Sequence, residues 1–204
     1  MQPVDTVLFE PVGCLAEFPA EPFLEIAARF YGRRRKPSRS ASRAYWHLLN
    51  LMESTPFDPA IEALELDAAE AASLYEDVIP ALSELQAMHI QLVVASSLSQ
   101  AAVSRFLEKS AAARFFSAVW TRTNCGGIKT APLAAALQGL QLRRAAYLTD
   151  TAEGLKTADA AGVRSILMMN DPDEAKRLAL EGPAGGVVSL HELPDFVRLV
   201  AVRT

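Results

Sequence analysis

Cysteine is scarce in this sequence: Cys14 and Cys125 are the only two among 204 residues. Neither lies in a Cys-x-x-Cys pair or at a Cys/His spacing, which excludes a disulfide framework and a zinc site as organising features. Reduced thiols in a cytoplasm are the simplest reading. Long apolar runs are missing as well. Nothing approaches the roughly 20 residues needed to span a bilayer. Asp5, Glu10 and Pro11 interrupt the early apolar run before it could serve as a signal peptide. No membrane partner is expected, and the chain reads as soluble and cytoplasmic. A large charge of one sign is also lacking: 20 Lys and Arg against 24 Asp and Glu leave a net charge of −4. That balance gives no whole-chain reason to expect nucleic acid. What the chain does have is apolar residues, 50% of the total. A chain of this length can bury a full core without a metal or disulfide staple.

The apolar residues are arranged in a repeating order. Short β-branched or apolar runs at 4–9, 90–95, 145–148, 165–169 and 186–190 read as buried strands. Helical periodicity occupies 79–88, 99–109, 131–140, 152–161 and 173–180 between and after them. Alternation of this kind predicts a three-layer Rossmann-like α/β core with about five parallel strands covered on both faces. In such sheets ligands sit beyond the carboxyl ends of the strands. That places Glu10, Ser96, Ser97 and Asp150 at the functional edge.

Residues 17–76 break the alternation. Phe23, Ile26, Ala27 and Phe30 recur at helical spacing, as do Tyr45, Leu48, Leu49 and Met52. This predicts a helical cap at 17–76 inserted into a core of 1–16 and 77–204, lying over the strand ends. The cap contains an acid-free run, Arg33 to Arg39, which reads either as a solvated loop or as a face for an anionic partner.

Four segments carry a family resemblance. Val7-Leu8-Phe9-Glu10-Pro11-Val12-Gly13-Cys14-Leu15 resembles an apolar strand leading into Asp-x-Asp-Gly-Thr-Leu. Val93-Val94-Ala95-Ser96-Ser97 matches a strand ending in Ser or Thr. Ile128-Lys129-Thr130-Ala131-Pro132 resembles a lysine motif, and Tyr147-Leu148-Thr149-Asp150-Thr151 an acidic last motif. In this order, the chain is identified as a member of the haloacid dehalogenase-like (HAD) hydrolase superfamily, resembling its capped phosphoglycolate phosphatase-like and dehalogenase-like branches.

That resemblance implies a phosphotransfer site. A carboxylate at position 10 attacks phosphorus, and a second at position 12 acts as general acid and base. Mg²⁺ would be held by the Glu10 carboxylate, the Val12 carbonyl and Asp150. Ser96 and Lys129 would hold the charge of the transferring group, which makes Glu10, Ser96 and Lys129 the implied catalytic residues. The sequence departs from the pattern in several places. Glu10 is one methylene longer than the family aspartate, and Val12 can carry no proton. Cys14 stands for threonine, Thr149 for glycine, and Gly154 for an acid, with Glu153 beside it.

Several residues keep two readings at this stage. Glu10 is either a metal ligand or a relic carboxylate, and Asp150 either a metal ligand or the ion-pair partner of Lys129. Ser96 either binds an anion or caps a helix in competition with Ser97 and Ser99. Two functions follow. One is a family member with a degenerate site, weakly active or inactive, that binds a small anion or a protein partner. The other is a Mg²⁺-dependent phosphatase acting on a small phosphorylated metabolite.

Overall fold

A computed structural model of the chain describes residues 2–33, 40–52, 59–199 and 201–202. All but Arg33 of the basic run lies outside the described residues. The first long element is strand β1 (Thr6–Phe9), buried at every position. Three helices follow: α1 (Glu21–Tyr31), α2 (Ala41–Leu51) and α3 (Pro59–Ala71). After them come α4 (Val78–Ala87), β2 (Gln91–Ser96), α5 (Gln100–Lys109) and β3 (Ala118–Thr121). The remainder runs α6 (Thr130–Gly139), β4 (Ala145–Thr149), α7 (Ala152–Ala160), β5 (Arg164–Met168), α8 (Pro172–Leu178), β6 (Gly185–Val187) and α9 (Leu193–Leu199).

The strands form one six-stranded sheet in the order β3-β2-β1-β4-β5-β6, parallel throughout. Successive residues of the central strands feed opposite faces. Phe9, Leu92, Val94, Ala146 and Leu148 belong to one apolar cluster, and Leu8, Val93, Ala95 and Tyr147 to the other. Burial on both faces explains why these strands read as continuous apolar runs rather than as alternations. From β1 the chain builds outward to β2 and β3, then returns to the other side with β4. The β1/β4 boundary is therefore the switch point, where a doubly wound sheet opens a crevice.

The sequence predicts about five strands, and the sixth is β3. It is an edge strand of four residues, three of them half-buried, so the continuous apolar signature of a covered strand is absent. Helix α9 was not predicted either. The other predicted strands and helices are present, displaced at their ends by up to three residues.

Helices α1 to α3 are inserted between Ala16–Glu17 and Ser73–Leu74, which pair as a short antiparallel ribbon. Their apolar faces do not form a core of their own. Phe23, Ile26, Tyr45, Leu48, Leu49 and Met52 join the same cluster as Phe9, Val12 and Phe106 of the α/β core. A ring contact of 5.3 Å, Phe18 to Phe106, runs across this seam, and Phe23 packs on Tyr45 at the same distance between α1 and α2.

One polar contact crosses it too. Glu65 on α3 and Arg122, directly after β3, are 0% and 1% exposed. Arg122 Nη1 donates to both Glu65 oxygens at 2.5 and 2.6 Å and to the Ser97 carbonyl at 3.1 Å. The Ser99 N–H donates to Glu65 Oε2 at 3.1 Å. Burial pushes the Glu65 carboxyl up, and Arg122 opposes that shift.

Removing one partner of a buried pair leaves the other charge unsatisfied, which costs about 3–5 kcal/mol, whereas replacing both with apolar groups is often neutral. Arg122→Met should therefore lower the urea unfolding free energy by about that amount, and Glu65→Leu/Arg122→Met should recover most of it. Additive losses in the double variant would refute the pairing.

Candidate active site

Strand β1 ends at Phe9 and delivers Glu10 to the switch point. Pro11 follows, and the turn closes through Gly13 at φ 80. No side chain fits at that glycine: a Cβ would lie 2.1 Å from Ser42 Oγ and 2.2 Å from Asp150 Oδ2. Glu10 is 2% exposed. It accepts from Ser96 Oγ at 2.7 Å and from the backbone N–H groups of Val12 and Ser97. Burial nevertheless dominates and pushes its carboxyl up to about 8, so it is mostly protonated at neutral pH. Cys14 is buried beside it. Desolvation, then Asp150 and Glu10, push its thiol well above the ordinary value, opposite to what a reactive thiolate needs.

The three serines after β2 have separate tasks. Ser96 donates to Glu10 and accepts from the Leu98 N–H at 3.2 Å. Ser97 Oγ accepts from the Lys129 N–H at 2.6 Å. Ser99 is the cap of α5, accepting from the Ala102 N–H at 3.1 Å. Lys129 precedes α6, half-buried, at a left-handed φ of 59 that few non-glycine residues adopt.

Asp150 follows β4, half-buried, beside the turn at Gly13. Its Oδ2 accepts from Ser42 Oγ at 2.6 Å and from Asn170 Nδ2 at 3.2 Å. Asn170 Nδ2 also donates to the Gly13 carbonyl at 2.7 Å. Burial pushes Asp150 up to about 6, against the pull of the Ser42 and Asn170 hydrogen bonds. Next to it Thr149 and Gly154 interlock, since a Cβ at 154 would stand 1.8 Å from Thr149 Oγ1. An acid at 154 and a threonine at 149 thus exclude one another in this backbone. Glu153 is exposed on α7 and takes no part.

Ser42, Tyr45 and Asn170 were not singled out from the sequence. Asn170 had a usable signal, a polar residue just past the carboxyl end of a strand, the same one that picks out Asp150. Ser42 and Tyr45 had none, because their role depends on where α2 docks. Tyr45 is fully buried, and burial followed by Glu10 and Glu65 pushes its phenol well up. Its hydroxyl lies near Ser96 but makes no hydrogen bond of ordinary geometry.

A cleft of about 660 Å³ opens between the inserted helices and the core. Its described wall includes Gly13, Ser42, Tyr75 and Asp150, but not Glu10, Ser96 or Lys129. A groove of about 740 Å³ lies at the opposite end of the sheet, around Gln141, Ala145 and Val163, and its wall holds no carboxylate or nucleophile.

The family profile of haloacid dehalogenase-like hydrolases matches residues 47–168, more than half of the chain. The chain belongs to that family. Solved structures agree on the fold. A haloacid dehalogenase-like family hydrolase from Streptococcus pneumoniae superposes with a TM-score of 0.71 at 15% identity, over 95% of this chain and 98% of that one. A HAD phosphatase from Thermococcus onnurineus gives 0.65 at 18% identity, over 97% and 98%. The L-2-haloacid dehalogenase from Xanthobacter autotrophicus gives 0.66 at 16% identity, over 97% and 100%. No curated protein matches the sequence.

The Mg²⁺ implied by the HAD resemblance does not fit the side chains as arranged. Mg²⁺ requires near-octahedral oxygen ligands at about 2.0–2.1 Å. Glu10 is engaged by Ser96 and two backbone donors, and Asp150 Oδ2 by Ser42 and Asn170. Among the described residues no group of three or more His, Cys, Asp and Glu could hold a metal ion.

The Glu10 shift fixes a pH dependence. Its folded value is raised from 4.5 to about 8. Its contribution to stability is therefore full below pH 4.5 and is lost as pH rises toward 8, by on the order of 4–5 kcal/mol. Glu10→Gln should remove this loss. The wild-type minus variant unfolding free energy, measured in urea at pH 5, 6, 7 and 8, should fall steadily; a flat difference would contradict the buried neutral carboxyl.

Proposed function

We propose that this HAD-family chain has lost phosphate-ester hydrolysis and acts by binding, through the cleft between its helical cap and its α/β core. The carrying observation is the state of Glu10. The carboxyl in the nucleophile's place is 2% exposed, bonded to Ser96 and off the wall of the cleft. In-line attack needs reacting atoms about 3–3.5 Å apart, and a sealed, protonated carboxyl offers no approach. Val12 adds to this, because position 12 supplies no general acid, a role worth about 10²–10⁴-fold. The Ser96 hydroxyl, one of the groups that would hold a phosphoryl group, already donates to Glu10.

The cleft remains as a place to bind. Its described wall carries Glu17, Asp150, Asp171 and Glu174 with Arg43 as the one cation among them, so of a small anion and a protein partner the surface favours a protein segment that presents cations. With residues 17–76 taken as the cap, this site lies between the two parts of the chain. No helix among the described residues is long and apolar enough to cross a membrane. Cys14 and Cys125 are unpaired, consistent with a cytoplasmic setting.

A panel of small phosphate esters with and without Mg²⁺ tests the reading. Wild type should show no turnover above background, and neither should Lys129→Ala. Turnover in wild type that Lys129→Ala abolishes would instead establish a working Mg²⁺-dependent phosphatase.

A further inference from the structure

We infer that Asp150 has been converted from a metal ligand into a fastener for the cap, with the Ser42 hydroxyl and the Asn170 amide both held on its Oδ2. Ser42 belongs to α2 and Asp150 to the loop after β4, so their 2.6 Å hydrogen bond ties the inserted helices to the sheet. Asn170, from the loop after β5, reaches the same oxygen and the Gly13 carbonyl, joining three strand ends at one point. One residue along α2, Arg43 Nε donates to Glu174 Oε1 on α8 at 3.0 Å, on the same side of the cleft. The first turn of α2 is thus held at two neighbouring points.

Three features show that this arrangement is built into the turn. Gly13 lacks the space for even one methyl group, because Ser42 and Asp150 close over it. Ser42 is itself 2% exposed, so its hydroxyl faces Asp150 rather than water. Thr149 occupies the space a side chain at 154 would need, which removes the place of a further acid. A divalent ion at Asp150 would have to displace two donors that are already charge-assisted, and Mg²⁺ gives up its own water reluctantly. The cap hydrogen bond and the ion therefore compete for one carboxylate, and the fold supplies the hydrogen bond.

The inference builds on the non-hydrolytic reading of this site but fails separately from it. Amide hydrogen exchange of residues 41–51 in the full-length protein reads cap opening directly. Ser42→Ala should speed that exchange by about tenfold, the effect of one hydrogen bond to a charged group. Asp150→Ala should act similarly, and the double variant should add little to either, because both remove the same contact. Asp150→Asn keeps an acceptor oxygen for Ser42 and should stay near wild type, whereas a metal ligand would not survive that change. Should Asp150→Ala fail to fold, Ser42→Ala and Asp150→Asn decide the matter. Mn²⁺, followed by its electron paramagnetic resonance signal, should show no saturable binding to wild type, and Mg²⁺ should leave its Tm unchanged. Saturable Mn²⁺ binding, a Mg²⁺-dependent rise in Tm, or unchanged exchange in Ser42→Ala would each overturn the fastener. Metal-independent turnover of a phosphate ester would overturn only the loss of hydrolysis.

Discussion

A carboxylate and a guanidinium, both out of water, set the position of the helices over the sheet. Glu65 and Arg122 are distant in sequence and belong to different parts of the fold, yet their charges are satisfied only when those parts meet in one orientation. A buried pair of this kind is weak evidence of net stability, since desolvation offsets much of its Coulombic gain. Its larger effect is on specificity, because alternatives that separate the charges leave both without partners. The apolar seam alone would permit small slips of α1 to α3 across the core. The Ser97 carbonyl and Ser99 N–H tie this ion pair to the end of β2, two of the places where the site is built.

With the helices held there, the character of the site follows. Tyr45 is carried in beside Ser96 and Glu10, and Ser42 onto Asp150. The glycine kept at 13 and the departures at 149 and 154 then become structurally dependent on their neighbours. Gly13 must stay a glycine because Ser42 and Asp150 close over it, and Thr149 occupies what a side chain at 154 would require. Restoring an acid at 154 would therefore first require Thr149 to give way. Glu10 shows the same dependence in electrostatic form: burial raises its pKa further than the hydrogen bonds from Ser96, Val12 and Ser97 lower it.

Legibility in the sequence followed the range of the interactions. Strands β1, β2, β4 and β5 are covered on both faces and announce themselves as apolar runs, while β3 hides because an edge strand with half-buried residues carries no such signature. Glu10, Ser96 and Asp150 were found because they follow strands, and strand ends in a doubly wound sheet mark the crevice. Ser42, Tyr45, Glu65 and Arg122 could not be found this way. Helical periodicity shows which side of α2 and α3 is apolar, and places Tyr45 there, but it does not show what that side will touch. Glu65 in particular reads as one more solvated acid in an acid-rich helix, and only its long-range partner makes it a buried one. The competition among Ser96, Ser97 and Ser99 was likewise undecidable locally, since the cap falls to Ser99 only after Glu10 and the Lys129 N–H have claimed the other two.

The two handicaps of the site differ in kind, and that difference matters for what the fold can still do. Missing proton transfer at Val12 slows a chemical step by a fixed factor of about 10²–10⁴. Sealing is a conformational cost that precedes chemistry, because any substrate would first have to part Tyr45 from Ser96 and free a bonded, protonated carboxyl. On the proposed non-hydrolytic reading, the two penalties multiply in rate. Binding in the cleft carries neither penalty: its wall reaches Asp150 and Gly13 from the open side while Glu10 stays covered. In the proposed binding role the cover over Glu10 and the cleft are separate features, so recognition asks only for the cleft.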